Sequence, residues 1–171
     1  MKSFVAVFDC APLGVLPWME AAAKAGGLTL VQQDDVGKWL SEDPEFRKAI
    51  MAPNIKSFSN PDPSLTPYYL KVLETKVPEP KVALHGWGWL VFAEKVDLCI
   101  LDYAGLEQQR KKSVEGVAQK KMDDEFFKVK SYLFAEAKKR LPADRILQLQ
   151  GFSSEKEKQE LAVQFVQKLS R

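Results

Sequence analysis

Five short apolar runs recur along this chain with helix-like segments between them, and that alternation limits the fold more than any other feature. The runs are "FVAVF" (4–8), "LTLVQQ" (28–33), "KVALHGW" (81–87), "VDLCILDY" (96–103) and "DRILQLQG" (144–151). Each is compact and rich in β-branched or large apolar residues, as strands buried on both faces are. A first helix is expected from about Pro17, a residue suited to the first helical turn, with Gly26-Gly27 stopping it. "DDVGKWLSEDPEFRKAIM" (34–51) reads as two short helical pieces, the second opened by Asp43-Pro44, and "YYLKVLETK" (68–76) as a third helix. "WLVFAEK" (89–95) supplies a helical turn or two. A long charged helical stretch runs from about Leu106 to Arg140 with a break near Gly116, and an amphipathic helix capped by Ser153 or Ser154 closes the chain. "APNIKSFSNPDPSLTP" (52–67) is the one long irregular connection. Strands alternating with helices predict an α/β, doubly wound, five-stranded parallel sheet with helices on both faces. No repeat or linker divides the chain, so residues 1–171 are expected to form one domain.

Bulk composition narrows the class of partner. At 46% hydrophobic residues, with ten Phe and four Trp, the chain has material for a core and lacks the signature of disorder. A net charge of +2 with both signs mixed does not call for nucleic acid or an anionic membrane. Cys10 and Cys99 are the only cysteines, which points to a reducing, intracellular compartment and to buried free thiols. No secretory signal stands at the N-terminus, and "VALHGWGWLVFA" is too short for a transmembrane segment.

Several kinds of chemistry lack their residues. His85 is the only histidine and has no cysteine partner at zinc-ligand spacing, so no metal site is expected. There is no G-x-S-x-G elbow for a serine nucleophile. Gly86 and Gly88 lie at a strand end where doubly wound proteins bind ligands, yet the third glycine of a dinucleotide motif is missing. The basic groups Arg110–Lys112, Lys120-Lys121 and Lys138–Arg140 alternate with Asp123, Asp124, Glu125 and Glu136, which reads as solvated helix faces.

The loop after the first strand, "FDCAPLGVLP" (8–17), sits where an α/β protein often holds phosphate. Together with the order of elements, it resembles the deoxynucleoside kinase family and, more distantly, thymidylate kinase. The Walker pattern G-x-x-x-x-G-K-[ST] falls on Asp9 through Leu16. Gly14 matches the second glycine, while Asp9 replaces the first, Val15 the lysine and Leu16 the hydroxyl residue. Those exchanges put a carboxylate where phosphate would lie and remove both the cation and the magnesium ligand. "DDVGKW" (34–39) resembles the family's E-P-V-x-x-W, with Asp34 on the carboxylate base position and Trp39 on the tryptophan. The third strand lacks the family's Glu-Arg-Ser ending, although "FAEKV" (92–96) resembles the segment that follows it.

The resemblance implies a P-loop nucleoside-kinase-like fold with a degenerate Walker A loop. It implies no catalytic residues and no cofactor. The family's kinase-like accessory subunit of mitochondrial respiratory complex I offers a precedent for a pseudoenzyme kept as a structural component. The expected role is therefore a non-catalytic accessory subunit held by protein–protein interaction, with a mitochondrial respiratory-chain assembly as the named partner. Nucleotide ranks behind protein as a ligand. The alternatives are a nucleoside binder with a vestigial pocket of Asp34, Trp39, Trp87 and Trp89, or an active kinase with a non-standard phosphate loop.

Overall fold

A computed structural model describes residues 2–10, 14–52, 62–86, 88–104 and 117–171, with side chains described at all of these except 88–91 and 117–127. Five parallel strands form one sheet in the order β2-β3-β1-β4-β5. They are β1 (Phe4–Asp9), β2 (Thr29–Gln32), β3 (Lys81–His85), β4 (Leu98–Asp102) and β5 (Ile146–Leu149). The described helices are α1 (Pro17–Gly26), α2 (Gln33–Glu42), α3 (Pro44–Ile50), α4 (Thr66–Lys76), α5 (Val117–Arg140) and α6 (Glu155–Leu169). This is the expected α/β sheet with helices on both faces.

Strand alternation sorts the side chains into two apolar layers. Val5 and Val7 face a layer closed by Val36, Leu40, Phe46, Tyr69, Leu73, Phe92, Leu133 and Phe134, drawn from α2 to α5 and a 3-10 segment at Gly88–Lys95. Phe4, Ala6 and Phe8 face the other, closed by Trp18, Met19, Ala22 and Ala23 of α1 and Ala162 and Val166 of α6. All residues of β1 and β4 are buried, because helices cover both sides of the sheet centre. Right-handed crossovers explain the assignment: β1 to β2 runs one way across the sheet, and every later connection runs the other.

Local signals set the helix ends. Pro17 opens α1, and Gly27 closes it in the left-handed region at φ 64°. Ser154, not Ser153, caps α6 by accepting from the Glu157 N–H. The second strand is shorter than expected, because Gln33 already belongs to α2. The third helix starts earlier, at Thr66, with Pro67 in its first turn. The expected break near Gly116 and most of the Pro-rich connection lie outside the described residues. At the amino edge of the sheet, Lys2 donates to the Val77 and Glu79 carbonyls and Lys81 to that of Ser170. Among the described residues, no helix is long and apolar enough to cross a membrane.

Asp43 caps α3 by accepting from the Glu45 and Phe46 N–H groups, and it also receives the Lys71 ammonium at 2.8 Å. The bond from Lys71, then that from Phe46, holds its carboxyl below the ordinary value of 3.8. A depressed carboxyl contributes stability at neutral pH that is lost as pH falls through the lowered value. Asp43→Asn should therefore lower the urea midpoint at pH 7 and change it little near pH 2, measured by circular dichroism.

Candidate functional site at the carboxyl edge of the sheet

In an open α/β sheet, ligands bind beyond the carboxyl ends of the strands, where successive connections leave on opposite faces. Here that point is the end of β1, which leads to α1 on one face while its neighbours β3 and β4 lead to the other. Two buried aspartates stand there, Asp9 ending β1 and Asp102 ending β4. Asp9 is paired in register with Leu101, so it shares the face of Val5 and Val7, and Asp102 points to the opposite face.

Each aspartate meets a lysine from the helix layer it faces. Lys130 of α5 donates to Asp9 Oδ1 at 2.9 Å, and each of these side chains is 1% exposed. Lys158 of α6 bridges both Asp102 oxygens at 3.0 and 3.1 Å. Asp102 also accepts from the Trp18 indole N–H at 2.9 Å and from the Ala104 N–H at 2.9 Å. Charges this deep persist only when paired and hydrogen-bonded, and these are. The place where a doubly wound protein would receive a ligand's charge is thus filled by the chain's own charges.

The positions matching the phosphate loop serve the same interior. Asp9 is the buried half of an ion pair. Val15 and Leu16 are half-buried and pack against the layer that contains Trp18. Gly14 is exposed, lies outside the left-handed region, and a Cβ added to it would meet nothing within 4 Å. Its glycine is therefore not demanded by local sterics.

Asp34 and Trp39 do not converge. Five residues apart on α2, they point about 140° from each other around the helix. Asp34 is exposed in the first turn, where a carboxylate favours the helix dipole, and Trp39 packs partly into the α2–α5 layer. That layer is filled by an aromatic series: Phe46 lies 5.8 Å from Tyr68 and 6.1 Å from Tyr69, and Tyr69 5.8 Å from Phe92, between ring centroids. Burial raises the Tyr69 phenol above its usual value, and its bond with the Gln33 side chain partly offsets this. Trp87 and the Trp89 side chain lie outside what is described.

Gly86, the first glycine of "GWG", has a steric role: at φ 132°, a Cβ there would lie 2.3 Å from Gln33 Cβ. The exit of β3 thus passes tightly against the start of α2. His85 is half-buried beside it, paired in register with Phe8. Cys10 and Cys99 are both buried and outside any disulfide, as expected. They belong to opposite layers, Cys10 with Trp18 and Cys99 with Val7, although their strands are neighbours. Burial first, and the Asp9 charge second, push the Cys99 thiol well above its ordinary value. Among the described residues, no cluster of His, Cys, Asp and Glu could hold a metal. Lys139 and Arg140 pair with Glu136, and Lys138 lies over the Tyr103 ring, so this basic group is a helix face. Arg110–Lys112 and the side chains of Lys120 and Lys121 lie outside the description.

Lys130 and Lys158 are the residues that the sequence reading passed over. A signal for them exists. Lys130 stands at helical spacing with Leu133, Phe134, Ala137 and Leu141, and Lys158 with Ala162 and Val166, each a cation on an otherwise apolar stripe. Two strands ending in aspartate, "FVAVFD" and "LCILD", supply the anions. Comparison with protein-family models, with curated proteins and with solved structures finds no match to this chain.

Placing the glycine of the phosphate-loop pattern at position 9 should harm the fold, since Asp9→Gly strands the Lys130 ammonium. A loss of about 3–5 kcal/mol in urea denaturation is expected, whereas Gly14→Ala should stay within about 0.5 kcal/mol of the parent. Neither thiol should react with an aromatic disulfide reagent at pH 8 in the native state, and both should react in denaturant.

Proposed function

We propose that this chain is a non-catalytic scaffold of nucleoside-kinase-like ancestry that works through binding other protein subunits in a larger assembly. The observation that carries this reading is the internal neutralisation of the switch point, where Asp9 and Asp102 are bound by Lys130 and Lys158. Phosphoryl transfer relies on cations and magnesium positioned around the phosphates. In the loop that resembles the pattern, the residues at the lysine and hydroxyl positions are Val15 and Leu16, both half-buried and packed against the core. Both buried lysines at this edge are directed at aspartates of the chain itself.

A fold outlives its chemistry when its surface has another use, because function belongs to sites and not to folds. The named assembly, a mitochondrial respiratory complex, rests on the resemblance to a kinase-like accessory subunit. The aromatic filling of the α2–α5 layer supports a scaffold over a nucleoside binder, since Phe46, Tyr69 and Phe92 occupy the space beneath the helices with one another.

Calorimetric titration of the full chain with Mg·ATP, Mg·ADP and a panel of nucleosides should give no binding heat at millimolar ligand. Native purification from the source organism should recover the protein in a high-molecular-weight assembly. Magnesium-dependent ATP turnover, or a native monomer free of other subunits, would overturn the proposal.

A further inference from the structure

We propose that the two buried ion pairs form a two-sided lock that specifies how α5 and α6 seat on the sheet, and that specification rather than net stability is what they contribute. The lock has one member on each face: Asp9 with Lys130 on the α5 side, and Asp102 with Lys158 on the α6 side.

Apolar packing seats one part of α6: Val166 approaches α1 so closely that a Cβ on Gly26 would lie 2.4 Å from its Cγ1. The fully buried apolar residues of α6 are Ala162 and Val166, both small, with Phe165 and Leu169 only partly covered. Small residues carry less of the fit at the Lys158 end of the helix, where the buried contact is the charge itself. A point charge does not tolerate a shift in register. Sliding the helix by one residue moves a side chain by about 1.5 Å and turns it by about 100°. Such a slip leaves the ammonium and the carboxylate both buried and unpaired, which is strongly unfavourable.

The socket for Lys158 is held by groups outside α6. Trp18 of α1 and the Ala104 N–H orient the Asp102 carboxylate, so α6 must seat with its ammonium at that place. On the other face Lys130 belongs to the same buried stripe as Leu133, Phe134 and Ala137, so engaging Asp9 sets the rotation of α5. A buried polar group that fixes register against slippage is a known use of such groups. The lock is independent of whether the chain binds nucleotide.

The test uses Lys130→Met and Lys158→Met alone, and the neutral pairs Asp9→Asn/Lys130→Met and Asp102→Asn/Lys158→Met, in the full chain. Asparagine keeps an acceptor oxygen for the Trp18 N–H. Each single variant should lower Tm by roughly 10 °C, because a carboxylate stays buried without its cation. Each neutral pair should recover at least half of that loss. Its amide spectrum should nevertheless show doubled signals or faster hydrogen exchange confined to the helix that lost its lysine. Single variants at the parental Tm would overturn the lock, as would neutral pairs no more stable than the singles or unable to fold. Neutral pairs with one sharp set of signals and parental exchange would overturn it too. If the singles do not fold, the neutral pairs decide alone.

Discussion

An ammonium in an apolar interior has to find a carboxylate, and much of this structure follows from two such meetings. Lys130 reaches Asp9 from the α5 layer and Lys158 reaches Asp102 from the α6 layer, at the ends of adjacent central strands. Neither charge tolerates isolation, so the strand ends and the helices are coupled. The Trp18 indole joins the second pair and ties α1 to the same carboxylate. The carboxyl edge of the sheet, where a doubly wound protein keeps its ligand site, thereby becomes a structural junction.

Residues on either side of the β1 exit take part in this junction. Val15 and Leu16 lay apolar surface against the layer of Trp18, and Asp9 supplies a buried anion at the end of β1. On the opposite face, the rings of Phe46, Tyr68, Tyr69 and Phe92 form a connected series under the helices. These features share one direction: groups that could have faced a ligand face the chain itself. That inward orientation is the physical basis on which a scaffold role is proposed.

Much of the architecture was legible in the residues. Apolar runs of strand length between helical segments gave five parallel strands and helices on both faces, because burial on both sides demands continuous apolar strands. Pro17, Asp43 and Ser154 mark helix starts through local bonds or a preset φ, and Gly27 marks a helix end through a left-handed φ. The boundaries that slipped were those without a local mark, such as the passage from β2 into α2 at Gln33.

What the sequence by itself determined was the alternation of elements and their capping. Both depend on neighbours a few residues apart. Only the tertiary structure decided the strand order and the two-layer division, along with the partners of Asp9 and Asp102. Lys130 lies 121 residues from Asp9, and Lys158 lies 56 from Asp102. Both lysines stand on apolar helical stripes, which marks them as inward-facing but leaves their partners open. No local pattern states which carboxylate a lysine will meet, because that choice belongs to the crossover topology that brings two helices against two central strands.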